Sequence, residues 1–451
     1  WTFYNYLTLW IGMAHNIPTY MMAGGFIALG MSWWEALLTV FLGNMIVLVP
    51  ILLNAVPGTM YGIPFPVYAR ASFGIRGANV PALLRALVAA GWFGIESAIG
   101  GSAMQMFLLK LIPWWGSFSR SGSFLGQNVG QWITFMLFWS FNIWVIFHGM
   151  RAVKRFEAWA GPLVLALGVG LLIWAYTAAH GFGPLLHEAG TLKTPAAFFA
   201  VFIPSLTGVV GFWSTLSLNI PDFSRFSRSQ RDQLWGQTVG LPTTMVAFSG
   251  IGVLVTSASI VIFGHAISDP INLLGHFNNP WVIIVSLVAI VVATLSVNIA
   301  ANVVSPAYDF IQLFPRHLNF PKAGLLTGIL GIVMLPWLLL SNPHVYIFDW
   351  LDIYSGFLGP IAAILIADFW LVRKKHLNVD ALYADHAQYW YHKGYNPKAL
   401  IALAAGIGIA LVGTVVPSLH WLYSYSWFVG FGLSFIVYGF LMRLGQDTRN
   451  M

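Results

Sequence analysis

Glu96 stands in GWFGIESAIGG (residues 91–101), in the middle of a long apolar stretch, with Trp92 four residues before it. That spacing puts the two side chains on one helical face. An ionisable group at membrane depth is costly and is read as functional by default. A carboxyl beside an aromatic plane suits a flat heterocycle with N–H groups, because the ring stacks and the carboxylate accepts hydrogen bonds. A desolvated carboxyl can also carry a proton. The bland reading is a packing Glu paired with a distant polar group, and the neighbouring Trp favours the site over it. Trp213 offers a second aromatic wall, although among 21 Trp it would not stand out without the repeat described below. His15 and Asn16 lie beside Pro18; a lone buried His is more often structural than a proton carrier. ATLSVNIAANVVSP (293–306) sets Asn298 and Asn302 on one face and Ser296 with Ala293 on another. Amides both donate and accept, as a nucleobase or ureide requires, and they also join membrane helices. Asp222, Asp309 and Asp368 stand near Arg clusters and are read as structural or gating ion pairs. No HExxH, GxSxG or GxxxxGK[ST] spacing occurs, so no enzyme or metal centre is expected.

The elements that must hold these residues are membrane helices. The 451 residues are 58% hydrophobic and 8% charged, against about a quarter charged in soluble domains. Lipid is the solvent that such a surface suits. There is no cysteine, which excludes disulfides and thiolate chemistry. Twelve apolar stretches reach the ~20 residues a span needs: 6–30, 36–56, 80–110, 129–149, 158–179, 195–219, 237–263, 281–303, 323–341, 346–372, 399–417 and 426–443. None shows the alternation of a barrel strand, so the fold class is an all-α polytopic membrane protein. With both termini placed in the cytoplasm, all of the 21 Lys and Arg except Lys110, Arg120 and Lys193 fall in inner loops, as the positive-inside rule demands. Arg85, Arg151, Lys154, Arg155 and Arg449 are among the inner group. The net charge of +7 therefore reports topology rather than nucleic-acid binding. The chain opens on Trp1, and a short preceding tail is expected.

WIGMAHNIP (10–18) returns as WSTLSLNIP (213–221), an offset of 203 that also carries the second span onto the seventh and the third onto the eighth. Five helices per copy is an odd number, so the second copy enters the membrane from the opposite side. Two inverted five-helix repeats, 1–180 and 195–375, are expected, followed by two further helices at 399–445. Gly12 and Pro18 should interrupt the first span, and Gly208, Gly211 and Pro221 the sixth. Unwound backbone survives in a membrane only where protein or a wet cavity satisfies it, and such half-helix ends face ligands or ions.

On LTLWIGMAHNIPTYMMAGG (7–25), GIPFPVYARASFGIRGANVPALLRALVAAGWFGIE (62–96), NIAANVVSPAYDF (298–310) and LGPIAAILIADFWLVRKK (358–375), the chain resembles the nucleobase–cation symporter family one, end to end. The resemblance implies the leucine-transporter fold. It implies ligand-stacking tryptophans at Trp92 and Trp213, hydrogen-bonding positions at Asn16, Glu96 and Asn302, and ligand-facing backbone near Phe212. It also implies a sodium site from the carbonyls of Gly12, His15 and Ala293 and the hydroxyl of Ser296. The fifth sodium ligand of the sodium-coupled hydantoin carrier, a Thr hydroxyl, is Val297 here, which argues against tight sodium binding. Glu96 replaces the Gln of many relatives and resembles plant members that carry uracil and purines. An ionised Glu accepts but cannot donate, which favours donor-rich ligand faces. The expectation is a plasma-membrane importer of a nucleobase, uracil first, working by alternating access and driven by protons. Allantoin or hydantoin import with possible use of sodium is the second reading, and an uncoupled facilitator the third. No cofactor is expected. Lipid and a small heterocycle are the expected partners.

Overall fold

The computed structural model describes residues 1–120, 122–148, 150–187 and 190–447, with side chains set out for all of these except 148, 150–161, 164, 187, 296, 300, 304 and 444–447. Arg449 and the side chains of Ser296, Arg151, Lys154 and Arg155 thus lie outside what is described. Helices dominate, and the described residues contain no strand, only two isolated bridges. Nine helices among them are long and apolar enough to cross a membrane, and three shorter apolar helices fall at the remaining expected spans.

The first span is two helices, α1 (Phe3–Ala14) and α2 (Ile17–Ala28). His15 leaves helical geometry and Asn16 is extended, so the chain breaks there. Asn16 Oδ1 then accepts from Thr19 N at 2.7 Å, and Pro18 occupies a first-turn position whose N–H would have no partner. Next come α3 (Trp33–Tyr61), the short α4 (Phe65–Phe73), α5 (Asn79–Leu111), α6 (Val129–His148) and α7 (Met150–Ala178). The sixth span is again double, α8 (Pro195–Phe212) and α9 (Ser214–Asn219), with Trp213 as the break. Then follow α10 (Gln230–Phe263), the short α11 (Pro270–Leu274), α12 (Pro280–Asn302), α13 (Val304–Leu313), α14 (Phe320–Val333), α15 (Val345–Val372), α16 (Pro397–Leu411) and α17 (Ser426–Asp447). The offset of 203 recurs in these elements: it maps α3 onto α10, short α4 onto short α11, and α5 onto the α12–α13 pair.

Two expectations change. Gly12, Gly208 and Gly211 lie inside continuous helices; the breaks fall at His15–Asn16 and at Trp213. Gly208 and Gly211 serve a close crossing instead. A Cβ on Gly211 would run into Ser355 Oγ and come within 2.8 Å of Leu351 O of α15.

The end of α15 nearest the arginine-rich loops is tied down. Arg373 Nε bonds Asp368 Oδ2 at 2.6 Å, Tyr438 OH of α17 donates to Asp368 Oδ1 at 2.7 Å, and Arg373 Nη2 donates to Ala71 O of α4 at 2.7 Å. The loop after α15 folds back on the same helix: Asn396 Nδ2 donates to Ser72 O at 2.6 Å and Arg76 N to Gly394 O at 2.8 Å. Gly394 has φ +94°, a left-handed geometry that glycine adopts without strain. Both ends of α15, 345–351 and 367–372, are wound as π-helix.

Candidate functional site

Trp92 and Glu96 lie on α5, buried at 7% and 2% exposure. The Trp92 ring is met edge-on by Phe212 at 5.0 Å, Trp350 at 6.2 Å, and Tyr346 and Tyr354 at 6.3 Å. Phe212 in turn meets Trp213 at 5.1 Å, and Trp213 meets its repeat mate Trp10 at 5.1 Å. The expected pair Trp92 and Trp213 thus belongs to a larger aromatic cage, with Phe212 in contact with both. Tyr346, Trp350 and Tyr354 were missed from sequence, although their spacing of four along α15 was a readable signal for one helical face. Gly91 makes room for the cage, since a Cβ there would strike the Trp350 ring.

Glu96 Oε2 is buried without a hydrogen-bond partner, as is Trp213 Nε1. One is an acceptor and the other a donor, and a buried polar atom of either kind calls for a partner. The two asparagines differ. Asn16 is committed to backbone, donating to Met13 O at 2.6 Å while capping α2. Asn302 Nδ2 donates to Asn298 Oδ1 at 3.2 Å. Asn298 is a joint: its Nδ2 lies 3.2 Å from Phe93 O, Ser97 Oγ and Asn142 Oδ1, which holds α5, α6 and α12 together and positions Asn302.

Below the cage, toward the arginine-rich end, lies a second polar cluster. Arg85 was expected in a loop but sits in α5 at 2% exposure, with its Nη1 2.9 Å from Asp309 Oδ2. With the Asn219 amide assigned from its neighbours, Arg85 Nη2 donates to Asn219 Oδ1 at 3.1 Å, and Asn219 Nδ2 donates to Thr215 O at 2.7 Å. Ser305 Oγ donates to Asp222 Oδ2 at 3.2 Å, and Phe65 N to Asp222 Oδ1 at 2.9 Å. Asp309 and Asp368 therefore form the expected ion pairs, whereas Asp222 forms none among the described residues.

For sodium, α1 packs against α12, which brings the elements of Gly12, His15 and Ala293 together. Val297, one turn after Ala293, presents hydrocarbon on that face. Thr294 Oγ1 is a buried hydroxyl without a partner, but it shares the face of Asn298, which is turned to α5 and α6. Val297 supplies no oxygen for the fifth position that the resemblance implies, and the side chain of Ser296 lies outside what is described. At the end of α15 away from the arginine-rich loops, a cavity of about 320 Å³ is lined by His265, Asp269, Asn272, His276, Asn342 and Tyr346.

Residues 1–430 match the family described as permease for cytosine/purines, uracil, thiamine and allantoin. The allantoin permease of Bacillus subtilis is 43% identical over 98% of this chain and 90% of its own length. The purine-uracil permease NCS1 of Arabidopsis thaliana is 43% identical over 98% and 76%. Among solved structures, the inward-facing conformation of Mhp1 superposes with a TM-score of 0.79 at 23% identity, covering 98% of this chain and 90% of that one. The closed conformation of Mhp1, described as a nucleobase-cation-symport-1 family transporter with bromovinylhydantoin bound, gives 0.78 at 22%, covering 98% and 92%.

Proposed function

Because the chain belongs to the permease family for cytosine/purines, uracil, thiamine and allantoin, and so is a membrane transporter and not an enzyme, we propose that it imports a flat, N–H-rich heterocycle, uracil first, together with a proton. The observation that carries this reading is the buried, unpartnered Glu96 Oε2, one helical turn along α5 from the caged Trp92. The ring stacks between Trp92 and Trp213 once Phe212 gives way, Glu96 accepts from ring N–H groups, and Asn302 meets a ring carbonyl or amide. Stacking on aromatic faces is worth about 1–3 kcal/mol per base. Asn16 serves the ligand edge only by releasing part of its cap.

The residues fall into two inverted five-helix repeats, 1–180 and 195–375, with two added helices at 399–445. Alternating access then rocks the broken helices α1–α2 and α8–α9 against α5 and α12–α13. Both termini lie in the cytoplasm and the protein sits in the plasma membrane, a reading supported by the one-sided Lys and Arg distribution. Val297 supports protons over sodium. Allantoin is the second ligand reading, favoured by the Bacillus subtilis relative.

The test is uptake of uracil, thymine, purines, cytosine, allantoin and hydantoins into proteoliposomes, with and without sodium and a protonophore. Uracil uptake collapsed by the protonophore and indifferent to sodium is expected. Competition by ureides but not by uracil would overturn the ligand reading, and tightening by sodium would overturn the proton reading. Glu96→Gln should reorder the ligands; an unchanged order removes Glu96 from the site.

A further inference from the structure

Asp352 is a buried acid that the cage does not use. It lies on α15 between Trp350 and Tyr354, whose rings face Trp92, and it points instead at α8. A Cβ placed on Gly208 would lie 3.4 Å from Asp352 Oδ1. The residue has 0% exposure, and both carboxyl oxygens are buried without a hydrogen-bond partner. Its surroundings offer no relief. On its own helix the flanking titratable groups are Asp349, of the same charge, and Tyr354. Ahead of α17 stands Tyr423, whose hydroxyl is given to Phe348 O. From α17, Ser426 Oγ donates to the Asp352 backbone oxygen at 2.8 Å and not to its carboxyl. From α8, Thr207 Oγ1 donates to Ser424 O at 2.7 Å, and it is Gly208 that faces the acid. No Lys, Arg or His among the described residues pairs with it.

A bare carboxylate cannot be held in such a place, because burying an unpaired charge costs several kcal/mol more than burying the neutral acid. The packing of α15 on α8 is therefore compatible with the protonated form alone. The same stretch of α15 carries Tyr346, Trp350 and Tyr354 onto Trp92, so closing the cage and sealing Asp352 are one movement.

We propose that Asp352 is the proton-binding site of this transporter: its carboxylate takes a proton from water while α15 stands off α8, and only the resulting carboxylic acid allows α15 to close over the ligand. The proton returns to water when the segment next leaves α8. This deepens the proton-coupled reading above and rests on it. Asp352→Asn mimics the loaded state permanently. In proteoliposomes given labelled uracil, and in parallel labelled allantoin, the variant should keep exchange of internal for external ligand. It should fail to accumulate ligand on an imposed pH gradient, and its ligand affinity should lose the pH dependence of the wild type.

Gradient-driven accumulation that survives in Asp352→Asn would overturn the assignment while leaving proton coupling intact. A wild-type protein blind to the gradient would instead remove proton coupling, and the assignment with it. Should Asp352→Asn show no exchange, Asp352→Glu decides. A displaced pH for half-maximal accumulation supports the site, and an unmoved profile overturns it.

Discussion

Replacing Asp309 by Leu leaves Arg85 charged and enclosed. Both side chains of the pair are 2% exposed and their atoms meet at 2.9 Å. The hydrogen bond left to the guanidinium is the neutral Asn219 oxygen at 3.1 Å, Asp222 acts on it only through space, and its Nε is already buried without a partner. Removing one member of such a pair costs about 3–5 kcal/mol, because the other charge stays buried and uncompensated. Removing both is a different perturbation: with Arg85→Met and Asp309→Leu together, desolvation and attraction vanish at once, and the change should stay within about 1–2 kcal/mol of wild type. The four proteins of this cycle can be unfolded reversibly in mixed micelles and followed by circular dichroism. The expected coupling energy is about 4 kcal/mol or more, above the largest value usual for a hydrogen bond between membrane helices, about 1.7 kcal/mol. Additive losses, with the double variant as unstable as the two single changes summed, would refute the claim that the charges are buried and mutually dependent.

Trp92→Ala should weaken labelled uracil binding about 5- to 150-fold, the equivalent of about 1–3 kcal/mol, whereas Trp92→Phe keeps most of the affinity; equal loss in both would argue against stacking. Gly91→Ala drives a methyl into the Trp350 ring, costing about 1–3 kcal/mol as overpacking, and Trp350→Leu in the same chain should restore thermal stability. Asp269, which caps the loop helix α11 outside the spans, is pushed by burial from 3.8 to about 6, against the N–H groups of Ile271 and Asn272 that pull it down. The folded protein then holds a proton that the unfolded chain has released, so stability falls as pH rises across that interval and is level above it; Asp269→Asn should flatten the slope in a denaturation series.

The spans were legible because apolar length is a local pattern, and the placing of Trp92 and Glu96 together on one helix because a spacing of four is local too. What was not legible depends on partners far along the chain. Arg85 reads as one more topology-setting cation until Asp309, 224 residues on, is folded against it. Gly208 and Gly211 read as helix breakers, because nothing local announces that α15 will press on them. Asn16 is the exception: its amide bonds Met13 O and Thr19 N, three residues to either side, and the break in the helix is what brings them within reach. Tyr346, Trp350 and Tyr354 carried a readable spacing, but in a chain with 71 aromatic residues such a stripe ordinarily means packing against lipid or core.

The bonds from Asp368, Arg373 and the 394–396 turn to α4 and α17 make α15 a lever with one end pinned. Displacement along a pinned rod grows with distance from the pin, so Val345–Leu351, more than 20 residues from Arg373, travels furthest for a given angle. A rise of about 1.5 Å per residue puts that end roughly 35–40 Å away, where a tilt of a few degrees already shifts a ring by an ångström or more. Substitutions in the clasp, distant from any ligand, should therefore set how often the far end lifts, and with it the rate of exchange, without altering the chemistry by which the ligand is recognised.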